Sequence, residues 1–213
     1  VFNPATLGYL LEGRDDIFMM AFLLMGLFLL QRKKLILAGI PMALAFATKQ
    51  SVWPIFPFYA AFLYFQEKNL KKVIISLLPF SVVFGLIVLP FFFWNPKAYL
   101  DSTIFYLSGN VSNSYPISGY GLGSLLLQFK IISNKFAAYP FLIWQTIICL
   151  PLAGILIWWQ KKENTVQRLL VSYGIFLFVF WYLSRYFNNS HLGFISMVFV
   201  FAYFWPKDED IAS

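Results

Sequence analysis

"GRDDIFMMAFLLMG" (Gly13–Gly26) sets one arginine and two adjacent aspartates against the start of an almost uninterrupted apolar run. In water those charges would decorate the first turn of an ordinary helix, so the solvent around the run decides how they are read. Composition settles the solvent. Of 213 residues, 60% are hydrophobic, 21% aromatic and only 12% charged, with a mean hydropathy of +0.71, whereas soluble domains carry about 25% charged residues. The expected fold is all-α: a polytopic transmembrane helix bundle with a long outer-face loop.

Working outward from that stretch, apolar runs read at Ile17–Leu30, Leu35–Thr48, Val52–Phe65, Val73–Trp94, Phe136–Trp159, Leu169–Leu183 and Leu192–Trp205. They give six or seven candidate helices. At about 1.5 Å rise per residue the shorter runs fall below a hydrocarbon core of roughly 30 Å, so their polar flanks must lie at or inside the interface. The sequence reads as one transmembrane domain over residues 1–213, with residues 95–135 as the outer loop. A chain that begins with Val1 is expected to be a piece of a longer protein.

Charge orients the bundle. Placing the turns Gln31–Lys34, Gln66–Lys72, Gln160–Arg168 and the tail after Pro206 on one side collects Arg32, Lys33, Lys34, Lys68, Lys71, Lys72, Lys161, Lys162, Arg168 and Lys207 there, ten of the sixteen basic residues. Under the positive-inside rule this side is cytoplasmic. Alternation then puts Arg14–Asp16, Lys49–Ser51, Asn95–Lys135 and Tyr186–His191 outside. The expected location is a plasma or inner membrane, multi-pass, with the active face outward. The net charge of +7 is mostly this bias, and without a long basic stretch it argues against nucleic acid as a partner.

Several chemistries are excluded. The sequence contains no P-loop, GxGxxG, HExxH or nucleophile elbow, so no cofactor is expected. The single cysteine, Cys149, lies inside an apolar run and permits neither an intrachain disulfide nor a metal cluster.

The outer segments hold the candidates. The loop centre "YLSGNVSNSYPISGYGLGSLLLQ" (Tyr106–Gln128) mixes glycines, Pro116 and three tyrosines, which predicts an ordered cap with turns, against a plain connector. Asp15 and Asp16 read either as helix caps or, with Arg14, as charges facing a cavity. Lys49 and Gln50 end a helix before Pro54 and Pro57; the lysine either caps and snorkels or binds an anion such as a lipid phosphate, with Trp53 at the interface. "SRYFNNSHLGF" (Ser184–Phe194) offers Arg185, able to grip phosphate bidentately, and the chain's one histidine, His191. Asn110-Val-Ser112 and Asn188-Asn-Ser190 match glycosylation sequons.

"GRDD", an apolar helix, the basic turn "QRKK" and then "LAGIPMALAFATKQSVWPIFPF" (Leu37–Phe58) together resemble the core of multispanning GT-C glycosyltransferases, among them polyprenyl-phosphate-sugar-dependent mannosyltransferases. Gly13, Arg14, Asp16, Ala38, Gly39, Ala45, Lys49 and Pro54 occupy matching places. The resemblance is best over Asn3–Tyr64 and lies in the order and spacing of the elements. It implies transfer of a hexose, mannose being one option, from a lipid-linked sugar donor to a glycan, lipid or protein acceptor among membrane lipids. It also implies a principal catalytic acid in a first outer loop, a region expected upstream of Val1. Within the chain the expected catalytic residues are Asp15 and Asp16, which hold acceptor or sugar hydroxyls, Asp16 with a general-base option. The expected substrate-binding residues are Arg14, Lys49, Gln50, Tyr115, Tyr120, Arg185 and His191. Lys49 and Arg185 are assigned to lipid phosphate and the Tyr106–Tyr120 loop to covering the sugar. An O-antigen ligase or polymerase, a secondary transporter and a non-catalytic membrane subunit are the alternatives.

Overall fold

The computed structural model describes residues 16–111 and 113–206. Seven helices of twelve or more residues organise them: α1 (Asp16–Gln31), α2 (Leu35–Thr48), α3 (Phe56–Glu67), α4 (Leu70–Trp94), α8 (Phe141–Lys162), α9 (Val166–Tyr182) and α10 (Asn189–Phe204). Between α4 and α8 lie the short helices α5 (Pro96–Leu100), α6 (Tyr106–Ser108) and α7 (Leu122–Gln128), a π-turn at Asp101–Phe105, and β1 (Ser118–Gly119). β1 pairs in parallel with β2 (Tyr186–Phe187). All seven apolar runs are helical at their cores. The expected Phe136 start is corrected: the fifth run becomes helical only at Phe141, after Pro140 at the cap position. Proline lacks the N–H and disfavours the α region for Tyr139 before it, so the loop segment continues to residue 140.

Local chemistry sets the other boundaries. The Asn69 side chain accepts the backbone N–H of Lys71 at 2.9 Å and starts α4, and the Thr165 hydroxyl accepts that of Arg168 at 3.3 Å and starts α9. A 3-10 turn (Gln50–Ile55) carries Pro54 and leads into α3, with Pro57 in the first helical turn. Tyr173 pins that turn by donating its hydroxyl to the Ser51 carbonyl at 2.6 Å.

α4 and α8 are 25 and 22 residues long and apolar enough to cross a membrane, yet only 17% and 22% of their most apolar windows are buried. Their outward residues are Ile74, Leu78, Leu86 and Phe93 on α4, and Leu142, Ile147, Leu150 and Trp158 on α8, all exposed. A core helix of a soluble protein would hide such a surface; here it faces lipid, as in an all-α membrane bundle. The core lies between the shorter helices and α4. Gly39 lets α2 approach α4 so closely that an added Cβ would meet the Phe80 backbone nitrogen at 2.9 Å, the small-residue contact typical of membrane helices. Phe80 then carries Phe46 edge-on at 5.0 Å and Phe84 stacked at 5.8 Å. Side-chain amides tie the end of α8 and the turn after it to α3: the buried Gln160 donates to the Phe58 carbonyl at 3.1 Å and the half-buried Asn164 to that of Phe62 at 3.0 Å.

The bundle has two chemically distinct ends. At one, Trp205 donates to the Gln31 side chain and Gln31 to the Pro206 carbonyl, each at 2.7 Å, beside the basic turns. Aromatic rings there carry cations: Lys162 lies 3.9 Å from the Trp158 ring centroid and Arg168 4.9 Å from that of Trp159. At the other end lie Asp16, Lys49, the 95–140 segment and the α9–α10 connection. This loop end holds the candidate residues.

Candidate active site

Two clusters meet at the loop end. The first joins the start of α1 to the end of α2. Lys49 leaves the helix with extended backbone, and its ammonium lies 2.7 Å from Asp16 Oδ1. Both side chains are about a quarter exposed, at 26% and 22%. Lys49 and Gln50 also line a cleft of about 160 Å³. Phe46 and Trp53, Phe84, Ile87 and Phe91 of α4, and Tyr99 and Thr103 line it as well. Trp53 is fixed by donating its indole N–H to the Phe46 carbonyl at 2.9 Å. The lysine of the ion pair thus lines a mostly apolar cleft, and Asp16 reaches that cleft through it.

The second cluster is organised by Arg185, which is 1% exposed. Its Nε–H donates to the Tyr115 carbonyl, Nη1 to that of Ala137 at 2.9 Å and Nη2 to that of Lys135 at 3.2 Å. The lipid-phosphate role expected of Arg185 would require its guanidinium to leave these carbonyls. Its fork closes on three backbone carbonyls from two points of the loop, which satisfies the donors of a buried guanidinium. Gly109 makes room for it: the residue has φ of +91°, and a Cβ there would collide with the Arg185 guanidinium. At Gly119, also at φ +91°, a Cβ would collide with the Phe187 carbonyl across the β1–β2 pair.

Around this clamp the rings assemble. Tyr115 meets Tyr186 at 4.6 Å with a 44° tilt and Tyr106 edge-on at 6.1 Å; Tyr186 meets His191 at 5.1 Å, and Trp181 packs on His191 at 4.5 Å. His191 Nδ1 lies 2.7 Å from Asn188 Oδ1, which also accepts the Ser190 hydroxyl at 2.6 Å, so the Asn188 sequon side chain is already engaged. Burial, and then the neighbouring Tyr115 and Tyr106, push the Tyr186 phenol up to about 12, so it remains a neutral hydroxyl at physiological pH.

Of the expected residues, Asp16, Lys49 and Gln50 come together, and Tyr115 and His191 belong to the arginine-centred cluster, both against Tyr186. Tyr120 is 59% exposed and held by its backbone N–H on the Phe187 carbonyl at 2.7 Å. Arg14 and Asp15 lie outside the described residues. The expected absence of a metal cluster has a limited counterpart: no group of three metal-ligating side chains occurs among the described residues. Sequence reasoning missed Tyr99, Thr103, Trp181 and Tyr186. For the first two the Asn95-Pro96 start was a usable signal, since the Asn95 side chain accepts the Ala98 N–H at 3.0 Å. Tyr186 stood directly beside the suspected arginine.

The helix bundle, with two long helices whose apolar faces are exposed, is that of an all-α membrane protein. The chain belongs to glycosyltransferase family 87, whose model matches residues 1–184. The match ends before Arg185, Tyr186 and His191, so their roles rest on geometry alone. No curated protein and no solved structure matches the chain.

Proposed function

We propose that the protein moves a hexose from a polyprenyl-phosphate donor to a glycan, lipid or protein acceptor at the outer face of a membrane that it crosses several times. The observation that carries this reading is the Asp16–Lys49 pair, whose lysine lines the α4-walled cleft. A polyprenyl chain is apolar and its phosphate anionic, so a cleft lined by Phe84, Ile87 and Phe91 together with a lysine matches both halves of such a donor. Lys49 is placed to receive the phosphate, with Gln50 beside it. Arrival of that anion draws the ammonium away from Asp16, because the two compete for the same donor hydrogens.

The released carboxylate then accepts the proton of the acceptor hydroxyl as the oxygen attacks the anomeric carbon. The bond from that carbon to the phosphate oxygen breaks, its electron pair leaves with the phosphate, and Lys49 offsets the charge that develops there. The ordered loop covers the transfer point and limits competing hydrolysis.

The test is transfer in proteoliposomes of the full-length protein, comparing a radiolabelled polyprenyl-phosphate hexose with the matching nucleotide hexose. Transfer from the first and not the second is expected. Transfer from the nucleotide sugar alone would overturn the donor assignment.

A further inference from the structure

The segment that follows α7 exposes large apolar side chains although it lies outside the long helices. Phe129, Ile131 and Phe136 are 72%, 64% and 60% exposed, and Leu125 of α7 is exposed near them in the chain. The backbone beneath them is nevertheless firmly held. Lys130 turns the chain at φ +59°, its N–H bonding the Leu127 carbonyl at 3.0 Å while that of Ile131 returns to the Leu126 carbonyl at 2.9 Å. Ile132 is buried in one cluster with Ile117 and Phe141. The Lys135 carbonyl accepts the Ile117 N–H at 2.8 Å and the Arg185 guanidinium at 3.2 Å. Three large side chains held outward by so ordered a backbone form an apolar patch that water alone would penalise.

We propose that residues 129–136 form an interfacial anchor that seats on the anionic phospholipid headgroups of the leaflet at the loop end of the bundle. Its charge fits that surface. Lys130 and Lys135 stand among the three apolar side chains, both are exposed, and neither meets a carboxylate among the described residues. No aspartate or glutamate occurs between Asp101 and Glu163. Lysines so placed lay their stems along apolar neighbours while the ammonium stays with lipid phosphate, and the Lys135 ammonium already lies 5.2 Å from the Phe136 ring centroid. At Lys130 the left-handed backbone is one that glycine adopts at less cost, so the turn keeps a charge where its own geometry favours none.

Continuity with α8 sets the depth. The lipid-facing side chains of that helix begin at Leu142 and Ile143, and Trp144 donates its indole N–H to the Tyr139 hydroxyl at 3.0 Å, an aromatic pair of the kind that marks a membrane interface. Phe136 precedes that pair in the chain, so the segment reaches the headgroup layer where α8 leaves it. A second copy of the chain would cover the apolar side chains but would bring two more unpaired lysines to the contact, whereas lipid phosphate neutralises those already there. Arg185 holds the carbonyls of both Lys135 and Tyr115, so seating the segment also fixes the height of the loop cap above the bilayer.

The test reads depth and needs neither donor nor acceptor, so it stands apart from the transfer reading. Nitroxides are attached at single cysteines in the full-length protein with its native cysteines replaced by serine, the protein is placed in nanodiscs, and collisions with oxygen and with uncharged nickel ethylenediaminediacetate are read by power saturation. Labels at Phe129, Ile131 and Phe136 should favour oxygen, the order found within a membrane, and a label at Asn110 should favour nickel. Discs with about 30% phosphatidylglycerol should lower nickel collisions at Ile131 at least about threefold below those in phosphatidylcholine discs, because each surface lysine strengthens the association about fivefold. Lys130→Gln with Lys135→Gln should lose most of that gain; the label series and the disc comparison decide the matter if this variant does not fold. Nickel preference at all three sites overturns the anchor, and equal nickel collisions in the two discs overturn its anionic partner. Dipolar broadening between labels of separate molecules would put a second copy on the patch and overturn the lipid assignment.

Discussion

The Lys49 ammonium lies 2.7 Å from Asp16 Oδ1, joining the end of one helix to the start of another across 33 residues of sequence. Each group is about three-quarters covered, so the pair is neither a solvated surface bridge nor a dry buried one.

If the pair serves transfer, its two halves fail differently. Lys49→Ala should raise the donor KM about 10- to 150-fold, the equivalent of a charge-assisted contact of about 1.5–3 kcal/mol. Asp16→Asn keeps size and polarity while removing the carboxylate, and should lower kcat by about 10²–10⁴ with little change in donor KM. Wild-type kcat in folded Asp16→Asn would reduce the aspartate to a helix-start residue.

Arg185 should behave as a structural clamp. Arg185→Ala strands the carbonyls of Tyr115 and Ala137, each at a cost of about 1–3 kcal/mol where no water replaces the donor, while the Lys135 carbonyl keeps the Ile117 N–H at 2.8 Å. The expected result is a lower Tm and faster proteolysis within Gly109–Gly123. Arg185→Lys should recover little, because one ammonium cannot span acceptors on two parts of the loop. An unchanged cleavage pattern with a raised donor KM would return Arg185 to phosphate binding.

These two charged sites differ in how readable they were. Asp16 and Lys49 sit at the ends of apolar runs, where charge is costly and draws suspicion on sequence grounds alone. The partners of Arg185 are backbone carbonyls, which every residue has, so no residue type announces them. The helices were legible because Asn69, Thr165 and the prolines punctuate long apolar runs. The start of α8 was misplaced because Phe136–Tyr139 is as apolar as the helix itself, and only Pro140 marks the true edge. The loop's internal helices were hidden by shortness: five residues at Pro96–Leu100 cannot show a periodicity.

Tyr186 gives a pH signature. Its phenol titrates higher in the folded protein than the ordinary value near 10, at about 12, because burial penalises the phenolate and Tyr115 and Tyr106 add to that penalty. The folded state therefore holds this proton more tightly than the unfolded state. The stabilisation is complete below pH 10 and is lost as pH rises from 10 through 12. Other groups titrate in the same window, so the measurement is a difference: the fall in Tm between pH 9 and pH 11.5 should be steeper for wild type than for Tyr186→Phe. Parallel curves would mean that the phenol is not held in a shielded site.

Topology can be read directly from the two ends of the bundle. Gln31 bonds to Trp205 and Pro206, and Asn164 bonds to α3 near its last turn, which gathers the basic turns at one end. The 95–140 segment and the β1–β2 pair occupy the other. Lys33, Lys71 and Lys162 are exposed at the first end, Asn110 and Asn189 at the second. In a variant with Cys149 replaced by serine, single cysteines at the three lysine positions should resist a membrane-impermeant maleimide added to intact cells and react once the cells are opened. Cysteines at Asn110 and Asn189 should react from outside. The positive-inside rule supplies the sign, since short basic turns are retained in the cytoplasm while the opposite loops are translocated. Two-sided results that split within either group would break the alternation of the helices themselves. A uniform reversal would keep the bundle and turn the transfer site to the cytoplasm, where a nucleotide sugar becomes the accessible donor.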